Sequence, residues 1–425
     1  MSEYVVKGGV VLNGKIKVSG NKNAALPCIS AAVLTDEEVR LFNVPDIEDV
    51  KVMLEIFEYA GGSVEKKGKN EIVLRMKNVC ETEILKEQAK KIRASILFAG
   101  SLLARSGRVT LPPPGGDVIG RRRLDTHFLV FTELGAKVKA GENYTIMVKK
   151  LLGNDIFLDE ASVTATENAV MAAVTAEGET VLTNAACEPH VQDLCNMLVL
   201  MGAKIEGIGS NILRIEGVKK LSGCDFTIGA DFMEAGSFIG LASVTGSDLH
   251  IEGISRKDIR TAISAFGKLG IMWSHDGNVI HVPRNQSLEV VNDMGGMVPK
   301  VDDSPWPGFP PDLLSIITVV ATQAKGTVLI HEKMYESRMF FVDKLISMGA
   351  RIVLCDPHRA VVSGPCRLKG TELISPDVRA GMSMLIAALC AEGKSVIKNV
   401  YQIERGYENL VERLLSLGAF VERIE

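Results

Sequence analysis

Charged and polar side chains recur at matching places along this chain, each just before or inside the first turn of an apolar helix. Lys22 and Asn23 stand at the first such place, Arg93 at the second, Ser162 and Thr164 at the third, Asp231 at the fourth, Asp312 at the fifth, and Asp377 with Arg379 at the sixth. Helix N-termini carry unpaired amide groups and the positive end of the backbone dipole, so a set of them facing one cleft selects an anion. A second set lies on loops between a middle strand and a second helix: Arg121, Arg122 and Arg123, then Arg338, then Arg405. Guanidinium groups grip carboxylate and phosphate bidentately, which lysines do less well. Asp312 follows Pro305, Trp306, Pro307, Phe309, Pro310 and Pro311, a stiff run that would hold it in place as a general base. Taken singly, each arginine reads as a solvated or structural group and each aspartate as a helix cap. Their repetition at equivalent points favours a ligand.

The elements that must position these groups repeat too. A helix ending in a small-residue step recurs at Gly61, Gly135, Gly202, Gly270, Gly349 and Gly418, at intervals of about 67 to 79 residues. A polar turn before a β-rich run recurs near Gly107, Gly178, Gly246, Gly326 and Gly393 with a similar offset. In the first unit Lys15–Val18 alternates as a strand, 23–34 reads as an Ala-rich helix, and 39–42 as a strand. Asp46 can cap a second helix on which Ile47, Val50, Met53, Leu54 and Phe57 share a face, and Gly61 stops it. Strands at 63–65 and 71–74 close the unit around a Lys-Lys-Gly-Lys-Asn turn. Each unit is therefore expected as βαβαββ. The sixth ends after the strand Phe420–Ile424 and lacks its last strand, and Tyr4–Val6 is a spare one. Two interleaved three-repeat domains follow: 22–230, carrying a lid loop at 111–123, and 1–21 plus 231–425, carrying the base, with the active site in the cleft between them.

Composition narrows the function. With 425 residues, 46% hydrophobic, the chain can bury two cores. Lys+Arg 48 against Asp+Glu 52 gives a net charge of −4, and aromatics are 5%, so neither a nucleic-acid footprint nor base-stacking platforms are indicated. No apolar run approaches a membrane span and the N-terminus shows no signal-peptide pattern, so a cytoplasmic protein is expected. The eight cysteines form no Cys-x-x-Cys pair, which suits reduced, buried thiols; Cys187, His190 and Cys195 read as packing rather than as metal ligands. Gly9–Ile16 approaches a P-loop but has Ile16 in place of Ser/Thr and lies between strands, and Gly207-Ile-Gly209 lacks the third glycine of a dinucleotide fingerprint. Both read as hairpin turns. The run from Leu111 to Gly120 reads either as a lid that excludes water or as a rigid surface crossing.

Several segments together resemble one family: Ser19-Gly-Asn-Lys-Asn-Ala-Ala-Leu-Pro27, Arg93-Ala-Ser, Pro114-Gly-Gly-Asp-Val-Ile-Gly120, Phe309-Pro-Pro-Asp312, Asp377-Val-Arg379-Ala and Arg405-Gly-Tyr-Glu408. They are similar to the UDP-N-acetylglucosamine 1-carboxyvinyltransferase family of enolpyruvyl transferases, in order and along essentially the whole chain. The resemblance implies an inside-out α/β barrel fold, with two domains each of three pseudo-repeats. It also implies phosphoenolpyruvate and UDP-N-acetylglucosamine as substrates, no cofactor and no metal, in the first committed step of peptidoglycan synthesis; a monomer is expected. By the same resemblance, Lys22, Asn23, Arg122, Arg338, Arg379 and Arg405 would hold phosphoenolpyruvate. Asn23, Arg93, Arg122, Asp125, His127, Ser162, Val163, Thr164, Asp312 and Met334 would bind the nucleotide sugar. Asp312 would take the sugar hydroxyl proton, Asp377 would handle protons at the methylene carbon, and Asp117, Lys22 and Arg405 would complete the catalytic set.

The chain departs from the family's pattern in places. The usual Arg-Pro-Val-Asp-Leu-His is Arg122-Arg-Leu-Asp-Thr-His127, Glu160 replaces a lysine, and Thr164 replaces a glycine. Asp117 occupies the lid position where most members carry the cysteine alkylated by fosfomycin. A carboxylate is a poorer nucleophile towards an epoxide than a thiolate, so insensitivity to fosfomycin is expected. The alternatives are enolpyruvyl transfer to shikimate 3-phosphate or another nucleotide, and a non-catalytic repeat scaffold.

Overall fold

A computed structural model describes residues 2–117, 119–284 and 286–425. The chain divides into two compact units: Met1–Ser19, Val118–Arg121 and Ala230–Glu425 form one, and Gly20–Asp117 with Arg122–Gly229 the other. The peptide ending at Arg121, within the expected lid, thus groups with the C-terminal unit.

Apolar helices lie inside each unit and sheets outside. In the N-terminal unit the helices Lys22–Ala31, Phe98–Ser106 and Val163–Ala173 pack together, and residues 24–31 and 165–173 are buried without exception. Helices apolar on every side are stable only when enclosed. Their alanines permit close approach, and polar groups between them pair, as where Ser30 Oγ donates to Leu97 O at 3.0 Å. The C-terminal unit repeats the plan with Phe232–Val244, Leu314–Gln323 and Val378–Cys390. No helix among the described residues is long and apolar enough to cross a membrane.

Among the described residues each unit carries three sheets. Within a repeat the strand before the inner helix pairs parallel with the strand after it, as Lys300–Asp302 does with Gly326–His331, and a hairpin then completes the sheet antiparallel. Repeats one and four exchange their leading strands: Asn13–Lys17 precedes the first inner helix but pairs with Asp248–Glu252, while Cys224–Thr227 precedes the fourth and pairs with Glu38–Phe42. The strand Glu3–Lys7 inserts between Lys394–Lys398 and Phe420–Ile424, antiparallel to both, with Val6 opposite Val421. It supplies the strand missing from the sixth repeat.

Two expectations are corrected in detail. The second repeat is not a full βαβαββ unit, because its leading strand is reduced to a single bridge between Glu83 and Thr110 beside a three-stranded sheet. Asp46 does not cap the helix Glu48–Tyr59; Ile47 occupies the cap and makes no side-chain cap bond. The stop at Gly61 is as expected, with φ +109°, and the five equivalent glycines share the positive sign.

The inserted strand tests the architecture. Val6 is fully buried and Val5 on the opposite face is not. Val6→Ala is expected to cost about 2 kcal/mol and Val5→Ala less than half of that, measured by urea denaturation.

Candidate active site

In the C-terminal unit the inner helices bring their N-termini to one polar cluster. Asp231 caps the first, accepting from Met233 N at 2.9 Å and Glu234 N at 3.1 Å. Asp377 caps the third, its Oδ1 accepting from Arg379 N and Ala380 N, both at 2.9 Å. Asp312 is different. It sits in the 3₁₀ turn Pro311–Leu313, whose cap position is Pro310. Its oxygens instead take Arg338 Nη2 at 2.6 Å and Arg379 Nε at 2.9 Å. Arg379 also lies 3.8 Å from Asp231 and over the Tyr407 ring at 5.3 Å, and the Tyr407 hydroxyl meets Ser237 Oγ at 2.9 Å.

The charges explain one another. Burial by itself would push the Asp312 carboxyl up, but Arg338 and Arg379 together pull it well below the ordinary carboxylate range. Burial lowers the affinity of both arginines for their protons, yet their surroundings, Asp312 for Arg338 and Tyr407, Asp231 and Asp312 for Arg379, more than restore it. One nitrogen of each guanidinium, Arg338 Nη1 and Arg379 Nη1, is buried with no hydrogen-bond partner. Buried donors of this kind are costly unless a ligand satisfies them, and an anion would do so bidentately. Arg405, 5% exposed, donates to Gln402 Oε1 at 2.7 Å.

Met334 stands in a turn held by Glu332, whose Oε1 accepts from Met334 N at 3.2 Å and Tyr335 N at 3.1 Å. The Tyr335 ring then lies 5.1 Å from the Arg338 guanidinium. Glu332 and Asp303 are both fully buried, and Asp303 Oδ1 accepts from Lys333 N at 2.5 Å. Burial, then a hydrogen bond with Asp303, raises the Glu332 carboxyl far above its usual value, so this acid stays protonated at neutral pH. In the same unit Gly120, at φ +129°, lies against Glu336, which also accepts from Arg121 N at 3.2 Å, and Ser337 N donates to Ile119 O at 3.2 Å. These contacts anchor the end of the lid segment.

The N-terminal unit places its groups separately. Asn21 caps the helix Lys22–Ala31 by accepting from Asn23 N at 2.8 Å, so Lys22 opens the helix and its ammonium lies 2.8 Å from Asp49. Asp49 carries no motif signal, being one acid in an ordinary first turn. Arg93 donates to Arg122 O at 2.6 Å and Arg123 O at 3.1 Å, so it shapes the arginine loop through its backbone. Arg123 pairs with Asp125 at 3.1 Å and Asp159 at 3.4 Å, and Thr126 donates to Asp159 at 2.6 Å. Ser162 precedes the helix Val163–Ala173 without capping it by its side chain, and 162–164 remain partly exposed. First-turn amides left uncapped are suited to an anion. Asp117 is partly buried on the lid; a Cβ at the neighbouring Gly115 would lie 1.9 Å from Lys90 O, which is why that turn needs a glycine.

His127 is enclosed. It is 1% exposed, and both ring nitrogens are occupied: Nδ1 lies 3.0 Å from Asn168 Nδ2 and Nε2 lies 3.2 Å from Thr164 Oγ1. Asn168 Oδ1 accepts from Gly100 N at 2.7 Å, which orients the amide and makes Nδ1 the acceptor. Burial, with the Arg93 charge behind it, lowers the imidazole to about 3, so it is neutral with its proton on Nε2. The resemblance assigns His127 to the nucleotide-sugar site; the helices around it leave its ring enclosed.

The profile of the family described as EPSP synthase (3-phosphoshikimate 1-carboxyvinyltransferase) matches residues 6–414. A Treponema denticola protein named UDP-N-acetylglucosamine 1-carboxyvinyltransferase is 65% identical over 422 residues, covering 99% of both chains. A Treponema pallidum protein of the same name is 63% identical, covering 98% of both. The chain belongs to the UDP-N-acetylglucosamine 1-carboxyvinyltransferase family. Among solved structures, the enolpyruvyl transferase NikO from Streptomyces tendae aligns with a TM-score of 0.88 at 23% identity, over 99% of this chain and 98% of that one. The fold is the inside-out α/β arrangement, and members of the family are enzymes acting on small molecules.

Glu332 gives the site a pH signature. Its proton is retained in the folded state and lost in the unfolded chain once pH exceeds the ordinary glutamate value, so folding stability falls as pH rises. Glu332→Gln removes that dependence. The drop in Tm between pH 5 and pH 8 is expected to be smaller in the variant than in the parent protein, as scanning calorimetry reads directly.

Proposed function

We propose that this chain transfers the enolpyruvyl group of phosphoenolpyruvate to the 3-hydroxyl of UDP-N-acetylglucosamine and releases phosphate, as the first committed step of peptidoglycan synthesis. The observation that carries the reading is Asp312 held by Arg338 and Arg379, each of which keeps one buried nitrogen unpaired. A donor with a phosphate and a carboxylate suits those vacant hydrogen bonds, and the names of the relatives supply the acceptor.

Asp312 paired to two arginines is too weak a base to take a hydroxyl proton unaided. An anionic donor that engages Arg338 and Arg379 offsets their charge and raises the basicity of Asp312 as the substrates bind. Asp312 then removes the sugar hydroxyl proton, the oxygen bonds to C2 of phosphoenolpyruvate, and C3 gains a proton. Elimination reverses the protonation at C3 and breaks the C2–O bond to phosphate. Lys22, Asn23, Arg122 and Arg405 join Arg338 and Arg379 in holding the donor. Arg93, Asp125, Ser162, Val163, Thr164 and Met334 serve the nucleotide sugar, with His127 orienting Thr164. Asp377, whose Oδ1 serves a cap, handles protons at C3. Asp117 acts from the lid. We place the enzyme in the cytoplasm, as a monomer.

Phosphate release is expected with UDP-N-acetylglucosamine and not with shikimate 3-phosphate or without acceptor; release with neither acceptor would overturn the reading. Asp312→Asn should lower kcat at least about 100-fold with the fold intact by circular dichroism. Fosfomycin should leave the protein unmodified by mass spectrometry, and Asp117→Cys should introduce a covalent adduct. An adduct on Asp117 in the parent protein would overturn the insensitivity.

A further inference from the structure

Away from these residues, a second group of chemically capable side chains gathers on the sheet formed by Ser274–Asp276, Val279–Val282, Asp248–Glu252 and Asn13–Lys17. Alternation sends Leu249, Ile251, Ile280 and Val282 into the core and leaves Asp248, His250 and His281 partly exposed. His250 and His281 are register partners across the antiparallel pair, with rings stacked 4.3 Å apart at 13°. His281 Nε2 lies 3.1 Å from Asp248 Oδ1, and Asp248 Oδ2 accepts from Arg284 N at 3.4 Å. One ligand atom from each of the three residues falls within 4.8 Å of the other two.

We propose that Asp248, His250 and His281 form a binding site for a divalent transition-metal ion of the zinc type. Two ligand atoms at ordinary zinc distances and near the tetrahedral angle stand about 3.3 Å apart. The Asp248–His281 pair already has that spacing, so an ion can replace their shared proton while the His250 ring turns out of the stack to supply the third bond. Two imidazoles and a carboxylate suit Zn²⁺, Cu²⁺ or Ni²⁺ rather than Mg²⁺ or Ca²⁺, which prefer oxygen ligands. The ligands come from two hydrogen-bonded strands, so little backbone order has to be gained on binding. Lys15, opposite His250 on the neighbouring strand, directs its ammonium to Glu252 at 3.6 Å. Partial exposure of the three side chains gives the ion an entry path and leaves water as fourth ligand. The bound ion joins Asp248–Glu252 to Val279–Val282 and stabilises the folded chain by mass action.

The test uses untagged full-length protein titrated with ZnCl₂ by isothermal calorimetry, with thermal unfolding followed in parallel. One ion per chain and a zinc-dependent rise in Tm are expected. His250→Ala and His281→Ala should each weaken binding at least about tenfold, and their Tm in EDTA checks that they fold. Because Cys80 and Cys355 are exposed thiols, the Cys80→Ser/Cys355→Ser double variant should bind zinc as the parent does. Cu²⁺-loaded protein should show electron-paramagnetic hyperfine splitting from two imidazole nitrogens. Zinc binding that survives both histidine variants, or that vanishes with the thiols, would overturn the site, as would the absence of any binding.

Discussion

The guanidinium of Arg379 occupies the point on which the C-terminal unit depends electrostatically. It is buried among Asp231, Asp312 and the face of Tyr407. A cation there is costly to desolvate, and only the surrounding anions and the Tyr407 ring make it tolerable. Those anions are in turn present because three inner helices start at the same end: Asp231 and Asp377 cap the first and third, and Asp312 lies in the turn leading into the second. Removing one member of such a group leaves the others buried without compensation, typically at about 3–5 kcal/mol. The cluster therefore constrains where the helices begin as well as what the site can bind.

The same arrangement sets the chemistry. A carboxylate between two arginines is a stable anion and a poor base, and two arginines with vacant hydrogen bonds are a receptor waiting for an anion. The two properties are complementary, since the ligand that satisfies the arginines also frees the carboxylate. Catalytic power of this kind comes from charges fixed in advance by the fold. Within each unit, other polar groups fix the backbone of the segments that carry these residues. Glu332 sets the turn bearing Met334 and Tyr335, and Arg93 sets the backbone of the arginine loop.

Strand exchange ties the repeats to their units. The strand Asn13–Lys17 and the strand Cys224–Thr227 each pair away from the helix they lead into, and Glu3–Lys7 closes the sheet of the sixth repeat. Among the described residues every sheet of the C-terminal unit has four strands. In the N-terminal unit the shortened leading strand of the second repeat leaves one sheet at three, where the Arg93 turn takes its place in the chain.

Much of this was legible in the chain itself. The glycine steps mark where helices stop because positive φ is cheap only for glycine, and a spare strand at Tyr4–Val6 with an unpaired edge at Phe420–Ile424 requires a closing pair. The ordered motifs announced the family. What sequence could not decide is which polar groups face one another. Asp231, Asp312 and Asp377 look alike in sequence, yet two are caps and one is held by arginines, because Pro310 takes the cap position before the turn that holds Asp312. His127 is enclosed; Asp49 looks ordinary and holds Lys22. Local spacing fixes where a side chain leaves the backbone. Its partner, protonation and exposure depend on helices and strands brought together from distant parts of the chain, and those only the tertiary structure supplies.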